Sequence, residues 1–296
     1  MSRLGTILTA MITPFDERGA LDGKEAARVA RWLVDRGNDG LVVAGSTGEG
    51  MTLDAAERRE LIAAVKESVR DQARVIANVG TSDTRSTVRA AKEARDAGAD
   101  ALLVVVPPYN KPTQGGMLEH FGAVAEATPL PVAIYNIPSR TAANMLPSTL
   151  LELSRRHANI AAVKESSGDL KQIATIVRDR APGFTVWCGD DHLYLPALAV
   201  GADGVVGVAS HLCSREFRDM TDAYRSGDTV RATEIHNGLL ELFEALFAIT
   251  NPIPIKWAMA ELGFRVGRCR SPLDALPEGA AERLRPLVAS YLTTAP

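Results

Sequence analysis

The stretch Ile160-Ala161-Ala162-Val163-Lys164-Glu165-Ser166-Ser167-Gly168 joins a short apolar run to a lysine and a turn-forming segment. From Asp169 onward the apolar residues recur at helical spacing. This order predicts a buried strand, a loop and a helix, with Lys164 at the carboxyl end of the strand. The strand fixes the stem of such a lysine, and apolar walls can keep its amine neutral and nucleophilic toward carbonyl groups. The alternative is a lysine without a catalytic role, whose side chain extends from the strand end into solvent.

Strand–helix units of the same kind repeat along the chain. Continuous apolar runs, typical of a parallel sheet buried on both faces, predict strands at residues 7–12, 40–44, 75–79, 101–106, 132–136, 160–164, 185–189 and 204–208. Helical spacing predicts helices at residues 24–36, 54–70, 84–97, 116–127, 147–156, 169–178, 192–200 and 214–226. Eight such units predict an α/β fold, the closed (β/α)₈ or TIM barrel. An open doubly wound sheet is disfavoured because no G-x-G-x-x-G follows the first strand.

The chain continues as helices after the eighth unit. One apolar stripe comprises Ile235, Leu239, Leu242 and Leu246, and a second lies within residues 280–292. We therefore predict a barrel over residues 1–227 and a C-terminal helical extension over residues 228–296 that packs on the barrel.

Composition and charge exclude several classes of function. The net charge of -3 and the absence of a basic stripe argue against nucleic acid as a partner. No apolar run is long enough to span a membrane, and the first fifteen residues lack the small-residue cleavage pattern of a signal peptide. The three cysteines, Cys188, Cys213 and Cys269, are scattered and show no CxxC spacing. We therefore predict a reducing, cytoplasmic setting.

Polar residues follow several predicted strands, where the active sites of (β/α)₈ barrels lie. Besides Lys164, the strand-end segments are Gly45-Ser46-Thr47-Gly48-Glu49-Gly50, residues 107–112, residues 135–141 and Gly189-Asp190-Asp191. Each segment has an alternative interpretation: the glycine-rich loop as a flexible turn, Tyr135 as a rim residue, Arg140 as half of a surface ion pair, and the aspartates as a helix cap. The five histidines show no ligand spacing, so we predict no catalytic metal.

The combination of these groups predicts Schiff-base chemistry. A lysine nucleophile needs a carbonyl substrate, a nearby phenol can move protons, and a hydroxyl can relay them. The amides and hydroxyls of the loop at residues 45–50 can hold a carboxylate. We therefore predict an aldolase that forms an enamine from a 2-oxo acid and adds it to an aldehyde, without a cofactor.

At these motifs the sequence resembles the dihydrodipicolinate synthase/N-acetylneuraminate lyase superfamily of class I aldolases. The resemblance runs from about residue 7 to residue 276 and rests on GSTGE at 45–49, YN-P-S-R-T at 135–141 and VKES-G at 163–168. It implies that Lys164 forms a Schiff base with pyruvate and that Tyr135 is the central proton donor and acceptor. It also implies that Thr47 links Tyr135 to Tyr109, which enters the site from the neighbouring subunit of a tight dimer. The implied assembly is a homotetramer built from two tight dimers.

The resemblance also implies how the substrates are held. Ser46 and Thr47 bind the pyruvate carboxylate, Gly189 offers a backbone contact, and Val206 lines the pocket. In the synthase branch the residue that matches Arg140 binds the carboxylate of aspartate semialdehyde.

Arg140 favours the synthase branch because a guanidinium can bind a carboxylate through two hydrogen bonds. The expected reaction is the condensation of pyruvate with L-aspartate-4-semialdehyde to 4-hydroxy-tetrahydrodipicolinate, in lysine and diaminopimelate biosynthesis. Ser46 is a departure, since the synthase branch commonly has threonine there and serine also occurs in the lyase branch. An aldolase acting on N-acetylneuraminate or a 2-keto-3-deoxy sugar acid is therefore the alternative. A catalytically silent 2-oxo-acid-binding protein is disfavoured because Lys164, Tyr135, Thr47 and Tyr109 are all present.

Overall fold

The computed structural model describes residues 4–292 and contains a closed barrel of parallel strands. The strands pair in chain order and are β1 (Ile7–Ala10), β2 (Gly40–Val43), β3 (Arg74–Asn78), β4 (Ala101–Val105), β5 (Val132–Asn136), β6 (Ile160–Glu165), β7 (Thr185–Cys188) and β8 (Gly204–Gly207). The closed barrel with helices after its strands confirms the predicted (β/α)₈ fold. Every predicted strand is present, with ends that differ from the prediction by two residues or fewer.

Helices follow the strands and extend beyond them. Their bounds are α1 (Gly23–Asp35), α2 (Ala55–Val69), α3 (Thr84–Asp96), α4 (Gln114–Glu126), α5 (Pro138–Thr141), α6 (Pro147–Arg156), α7 (Leu170–Asp179), α8 (Tyr194–Ala199), α9 (Ser210–Arg225), α10 (Thr229–Phe247), α11 (Ile253–Glu261) and α12 (Glu278–Leu292). The short helix α5 was not predicted, because four residues are too few to show helical periodicity. Helix α9 begins four residues before its predicted start, at Ser210. None of the helices in residues 4–292 is long and apolar enough to cross a lipid bilayer.

Several helices begin at a side chain that caps the first turn. The capping residues, whose side-chain oxygens accept hydrogen bonds from backbone N–H groups, are Asp22, Asp54, Asp83, Thr113, Asp169 and Asp228. Asp54 and Glu57 form a complete capping box at the start of α2. Each cap stabilises its helix by roughly 1 kcal/mol. These caps fix where the strand-end loops stop and the helices start.

Side chains alternate between two apolar layers. Those that point into the barrel form one buried cluster, which includes Leu8, Val42, Ile76, Leu103, Tyr135, Trp187 and Val206. Those that point outward pack against the helices in a second, larger cluster. Burial on both faces explains why the strands are continuous apolar runs.

The helices after residue 228 pack onto the barrel helices. From the predicted stripe, Leu239, Leu242 and Leu246 are buried in the outer cluster, and Ile235 is partly buried against it. The ring of Phe217 on α9 lies 5.7 Å from the ring of Phe243 on α10. The outer apolar core is thus shared between the strand–helix units and the C-terminal helices.

The first and last strands meet where a glycine allows close backbone contact. The N–H of Val205 donates to the carbonyl of Thr6 over 2.8 Å. A Cβ atom on Gly204 would lie 2.0 Å from that same carbonyl oxygen. Closure between β1 and β8 therefore requires glycine at this position.

Gly204→Ala should destabilise the fold by at least about 2 kcal/mol, because the new methyl group meets backbone rather than a side chain that can move. Gly238→Ala is the matched control, since Gly238 lies inside α10 and a Cβ atom there would meet nothing within 4 Å. The control should be more stable than the wild type by about 0.5–1 kcal/mol, the helix preference of alanine over glycine. Urea or thermal unfolding measures both changes. Equal stability of Gly204→Ala and the wild type would contradict the closure argument.

Candidate active site

Lys164 and Tyr135 lie side by side at the carboxyl ends of adjacent strands. They are paired residues in the register of β5 and β6, so their side chains project to the same face of the sheet. The Lys164 Nζ atom lies 4.3 Å from the centroid of the Tyr135 ring. Both residues are buried, at 6% exposure each. An amine and a phenol are therefore held together inside the barrel mouth, where few water molecules can compete for them.

Gly189 makes room for the lysine stem. A Cβ atom at this position would lie 2.8 Å from Lys164 Cε and 1.9 Å from Ser166 Oγ. Gly189 also continues the ladder next to β6, because its N–H donates to the carbonyl of Glu165 over 2.8 Å. A larger residue would displace either the lysine or the strand end.

A network of buried polar side chains supports the strand ends behind Lys164. The carboxylate of Glu165 accepts hydrogen bonds from Asn136 Nδ2 at 3.1 Å, from Gln172 Nε2 at 3.0 Å and from the N–H of Ser167 at 2.9 Å. Burial raises the pKa of Glu165, and these hydrogen bonds oppose that rise. The network ties β5, β6 and α7 together and leaves Lys164 little freedom to shift.

The glycine-rich loop after β2 is a compact, fixed turn and not a flexible one. The N–H of Glu49 donates to the carbonyl of Ser46 over 3.2 Å, and the N–H of Gly50 donates to the carbonyl of Gly45 over 3.0 Å. A Cβ atom on Gly50 would lie 1.9 Å from the carbonyl oxygen of Ala44. Ser46 and Thr47 line the same cavity as Lys164. Two residues that carry hydroxyl groups therefore line the cavity together with the lysine and the tyrosine.

Asn251, which follows α10, connects Thr47 to Arg140. Its side-chain Nδ2 donates to Thr47 Oγ1 over 2.9 Å, and its backbone carbonyl accepts from the Arg140 guanidinium over 3.2 Å. Because the Thr47 oxygen accepts this bond, its own proton is available for another acceptor in the cavity. Arg140 lines the cavity, and within residues 4–292 its guanidinium forms no ion pair with a carboxylate. The surface ion pair considered for Arg140 is therefore not present.

The two aspartates after β7 have different surroundings. Asp191 is buried, and its carboxylate accepts from the N–H groups of Val208 and Ala209, just before α9. Burial raises its pKa to about 6. Asp190 lines the cavity, and burial raises its pKa while the charge of Lys164 opposes that rise. In the described part of the chain, no three His, Cys, Asp or Glu side chains are grouped so that they could hold a metal ion.

Two predicted site residues lie outside this cavity. Tyr109, in the loop after β4, is 93% exposed and does not line the cavity of its own chain. Its φ of 74° is in the left-handed region, which is rare for a bulky residue. Val206 is fully buried in the barrel interior, and the residue from this strand end that lines the cavity is Val208. In the strand predicted at residues 204–208, alternation gives Val206 and Val208 the same face, so the sequence does not decide between them.

The remaining lining residues show what the sequence analysis missed. The cavity is also lined by Ala10, Val42, Leu103, Ile137, Phe247 and Asn251. Asn251 belongs to the segment Asn251-Pro252-Ile253-Pro254, which in the sequence indicates only the start of a helix. Asn251 stands out in the sequence as a polar residue between Phe247 and two prolines. Nothing in the sequence, however, indicates that it lies at the mouth of the barrel.

The closed barrel and this strand-end cluster together define a (β/α)₈-barrel enzyme with its site built around a buried lysine. The chain belongs to the Dihydrodipicolinate synthetase family, whose profile matches residues 3–290. This confirms the family that the three sequence motifs indicated. The 4-hydroxy-tetrahydrodipicolinate synthase of Dehalococcoides mccartyi is 45% identical over 296 residues, which are 100% of this chain and 99% of that protein.

Solved structures agree with this assignment. A dihydrodipicolinate synthase from Bacillus anthracis superimposes with a TM-score of 0.95 at 39% identity, over 98% of this chain and 99% of that one. The chloride-inhibited dihydrodipicolinate synthase of Acinetobacter baumannii, crystallised with pyruvate, superimposes with a TM-score of 0.93 at 31% identity, over 97% and 99% of the two chains.

Proposed function

We propose that this protein is a lyase that condenses pyruvate with L-aspartate-4-semialdehyde to form 4-hydroxy-tetrahydrodipicolinate, a step of lysine and diaminopimelate biosynthesis. Full-length relatives named for this activity support the proposal. The observation in this chain that carries it is an arginine at the mouth of the lysine cavity whose guanidinium pairs with no carboxylate of the described residues. A second substrate that brings its own carboxylate would supply the missing partner.

In the first half of the reaction, Lys164 is the nucleophile. Its neutral amine adds to the C2 carbonyl of pyruvate, the carbinolamine loses water, and an iminium ion forms. Loss of a proton from C3 then gives the enamine. Tyr135, whose ring centroid lies 4.3 Å from the amine, would move these protons. Ser46 and Thr47, on the wall of the same cavity, are the groups that would hold the pyruvate carboxylate.

In the second half, the enamine carbon attacks the aldehyde and a carbon–carbon bond forms. The aldehyde oxygen takes up a proton, which Tyr135 and the Thr47 hydroxyl, both lining the cavity, would supply. The amino group of the former semialdehyde then adds to the iminium carbon, which closes the ring and releases the Lys164 amine. Arg140 would hold the semialdehyde carboxylate throughout, and the iminium serves as the electron sink in place of a metal or organic cofactor.

Incubation with pyruvate and borohydride should attach a reduced pyruvyl group to Lys164, because borohydride reduces the iminium and makes it permanent. Peptide mass mapping distinguishes Lys164 from the nearby Lys171 on α7. Lys164→Arg should take up no label, since arginine stays protonated and cannot form the imine. Treatment with EDTA should leave the activity unchanged. A label on another lysine, or a requirement for a divalent cation, would contradict the proposed mechanism.

Arg140→Ala should separate the two half-reactions. Pyruvate trapping should continue, while kcat/KM for aspartate semialdehyde should fall. The fall should correspond to about 2–4 kcal/mol of lost transition-state binding, the loss of a charge-assisted contact made through two hydrogen bonds. Arg231→Ala is the control, since that arginine lies on the exposed face of α10 and pairs only with Glu234 among the described residues. An equal loss of both half-reactions would assign Arg140 a folding role. Faster turnover of N-acetylneuraminate or a 2-keto-3-deoxy sugar acid would favour the alternative aldolase.

We further propose a homotetramer of tight dimers in which Tyr109 completes the site of the neighbouring subunit. The exposure of Tyr109, at 93%, supports this proposal, because a large aromatic side chain held in a rare backbone conformation gains nothing from solvent. Met51, in the segment that follows the glycine-rich loop, is also exposed, at 74%.

We also propose a cytoplasmic location for the protein, because its three cysteines form no disulfide bond.

Subunit mixing tests the crossing of Tyr109. Lys164→Ala and Tyr109→Phe chains should each have low activity, and co-refolding them should recover about a quarter of the wild-type rate, because half of the dimers are mixed and each has one intact site. Sedimentation of the wild type should give a tetramer. Either a fully active monomer or the absence of any recovery on mixing would contradict this arrangement.

A further inference from the structure

A buried ion pair joins the glycine-rich loop to the C-terminal helices. Lys256 Nζ lies 2.6 Å from Glu49 Oε1, and the two side chains are only 2% and 1% exposed. The second carboxylate oxygen accepts from the N–H of Arg270 over 2.7 Å, and Nζ also donates to the carbonyl of Arg268 over 3.1 Å. Removing two charges from water opposes folding, so net stability alone is a weak reason to bury such a pair. The pair therefore raises the question of what it fixes in place.

The same two chain segments meet a second time, inside the active site. Glu49 follows Thr47 by two positions, and Lys256 follows Asn251 by five. Asn251 donates to the Thr47 hydroxyl over 2.9 Å and accepts from Arg140 over 3.2 Å. The ion pair and the Asn251 contacts thus run in parallel between one loop and the start of α11. A shift of α11 against the loop would disturb both groups that Asn251 holds.

The loop is rigid enough to transmit this constraint. Glu49 has a φ of 48°, in the left-handed region that costs a residue other than glycine about 1 kcal/mol or more. Its carbonyl accepts from both the N–H and the hydroxyl of Thr52, at 2.8 and 2.9 Å. The close approach of Gly50 to Ala44 leaves no room for the turn to slide. Fixing the Glu49 carboxylate therefore fixes the position of Thr47.

We propose that Glu49 and Lys256 are positioning residues for the reaction. Their ion pair sets α11 against the loop at residues 45–50, and so aims the Thr47 hydroxyl and the Arg140 guanidinium through Asn251. The C-terminal extension thereby serves both halves of the reaction, the pyruvate half through Thr47 and the aldehyde half through Arg140. This inference rests on the proposed function, since it assigns those two residues their substrates.

The test compares a variant that breaks the ion pair with one that removes both charges. Lys256→Met leaves the Glu49 carboxylate without its cation and should lower the stability strongly. The double variant Glu49→Gln/Lys256→Met has no buried charge at this place and should regain most of that stability. Lys66→Met is the control, because Lys66 pairs with Asp100 at 2.8 Å at the opposite end of the barrel. Borohydride trapping of pyruvate counts the working sites in each preparation, and all rates are divided by that count.

Two rates per working site report on positioning. Exchange of the pyruvate C3 protons with deuterium oxide follows enamine formation, and kcat/KM for aspartate semialdehyde follows the second half. In the double variant each should fall at least about tenfold, as expected when reacting groups are displaced by a fraction of an ångström to an ångström. Both rates should stay within about twofold of the wild type in the Lys66→Met control, where no site residue moves.

The outcomes separate the alternatives. Wild-type rates per site in the double variant would overturn the inference, and so would a loss confined to the number of trapping sites, which is the result of a purely structural role. Recovery of stability without recovery of the two rates supports it. A wild type that traps no pyruvate would overturn the proposed function itself and this inference with it.

Discussion

Backbone hydrogen bonding between the first and last strands closes the sheet, and the rest of the molecule follows from that closure. Parallel pairing in chain order brings all eight carboxyl ends to one rim. In-register pairing then sets neighbours such as Tyr135 and Lys164 side by side, while alternation turns Glu165 to the helix side, where a separate polar network supports the strand. The positions of the reactive groups are thus fixed by main-chain geometry before any side chain contacts a substrate.

Much of this arrangement could be predicted because it depends on short-range pattern. Continuous apolar runs at a βα period predict the barrel, and each strand end follows from the point where the run stops. Once the barrel is predicted, Lys164, Tyr135, Thr47 and Arg140 must share one rim, whatever their separation in the sequence. The structure brings all four to a single cavity or its wall. The exact start of α9 was less predictable, because the polar residues Ser210 and His211 carry no helical pattern.

What could not be predicted depends on contacts between distant segments. Asn251 reaches Thr47 across 204 positions, and Lys256 reaches Glu49 across 207. Nothing in the sequence around Lys256 indicates its partner, because the partner is decided only by where α11 docks. The depth of a residue at a strand end is likewise not given by the sequence. Val206 lies inside the barrel, Val208 follows the end of β8, and only the three-dimensional structure shows that Val208 lines the cavity.

The docking of α11 against the glycine-rich loop also has a consequence for biosynthesis of the chain. Residues 251 and 256 lie after the end of β8, so all eight strands leave the ribosome before Asn251 and Lys256 do. Because residues 251 and 256 are translated after every strand, the rim receives the contacts of Asn251 and Lys256 only after all eight strands have been made. The order of translation therefore makes these contacts among the later ones that the rim can form.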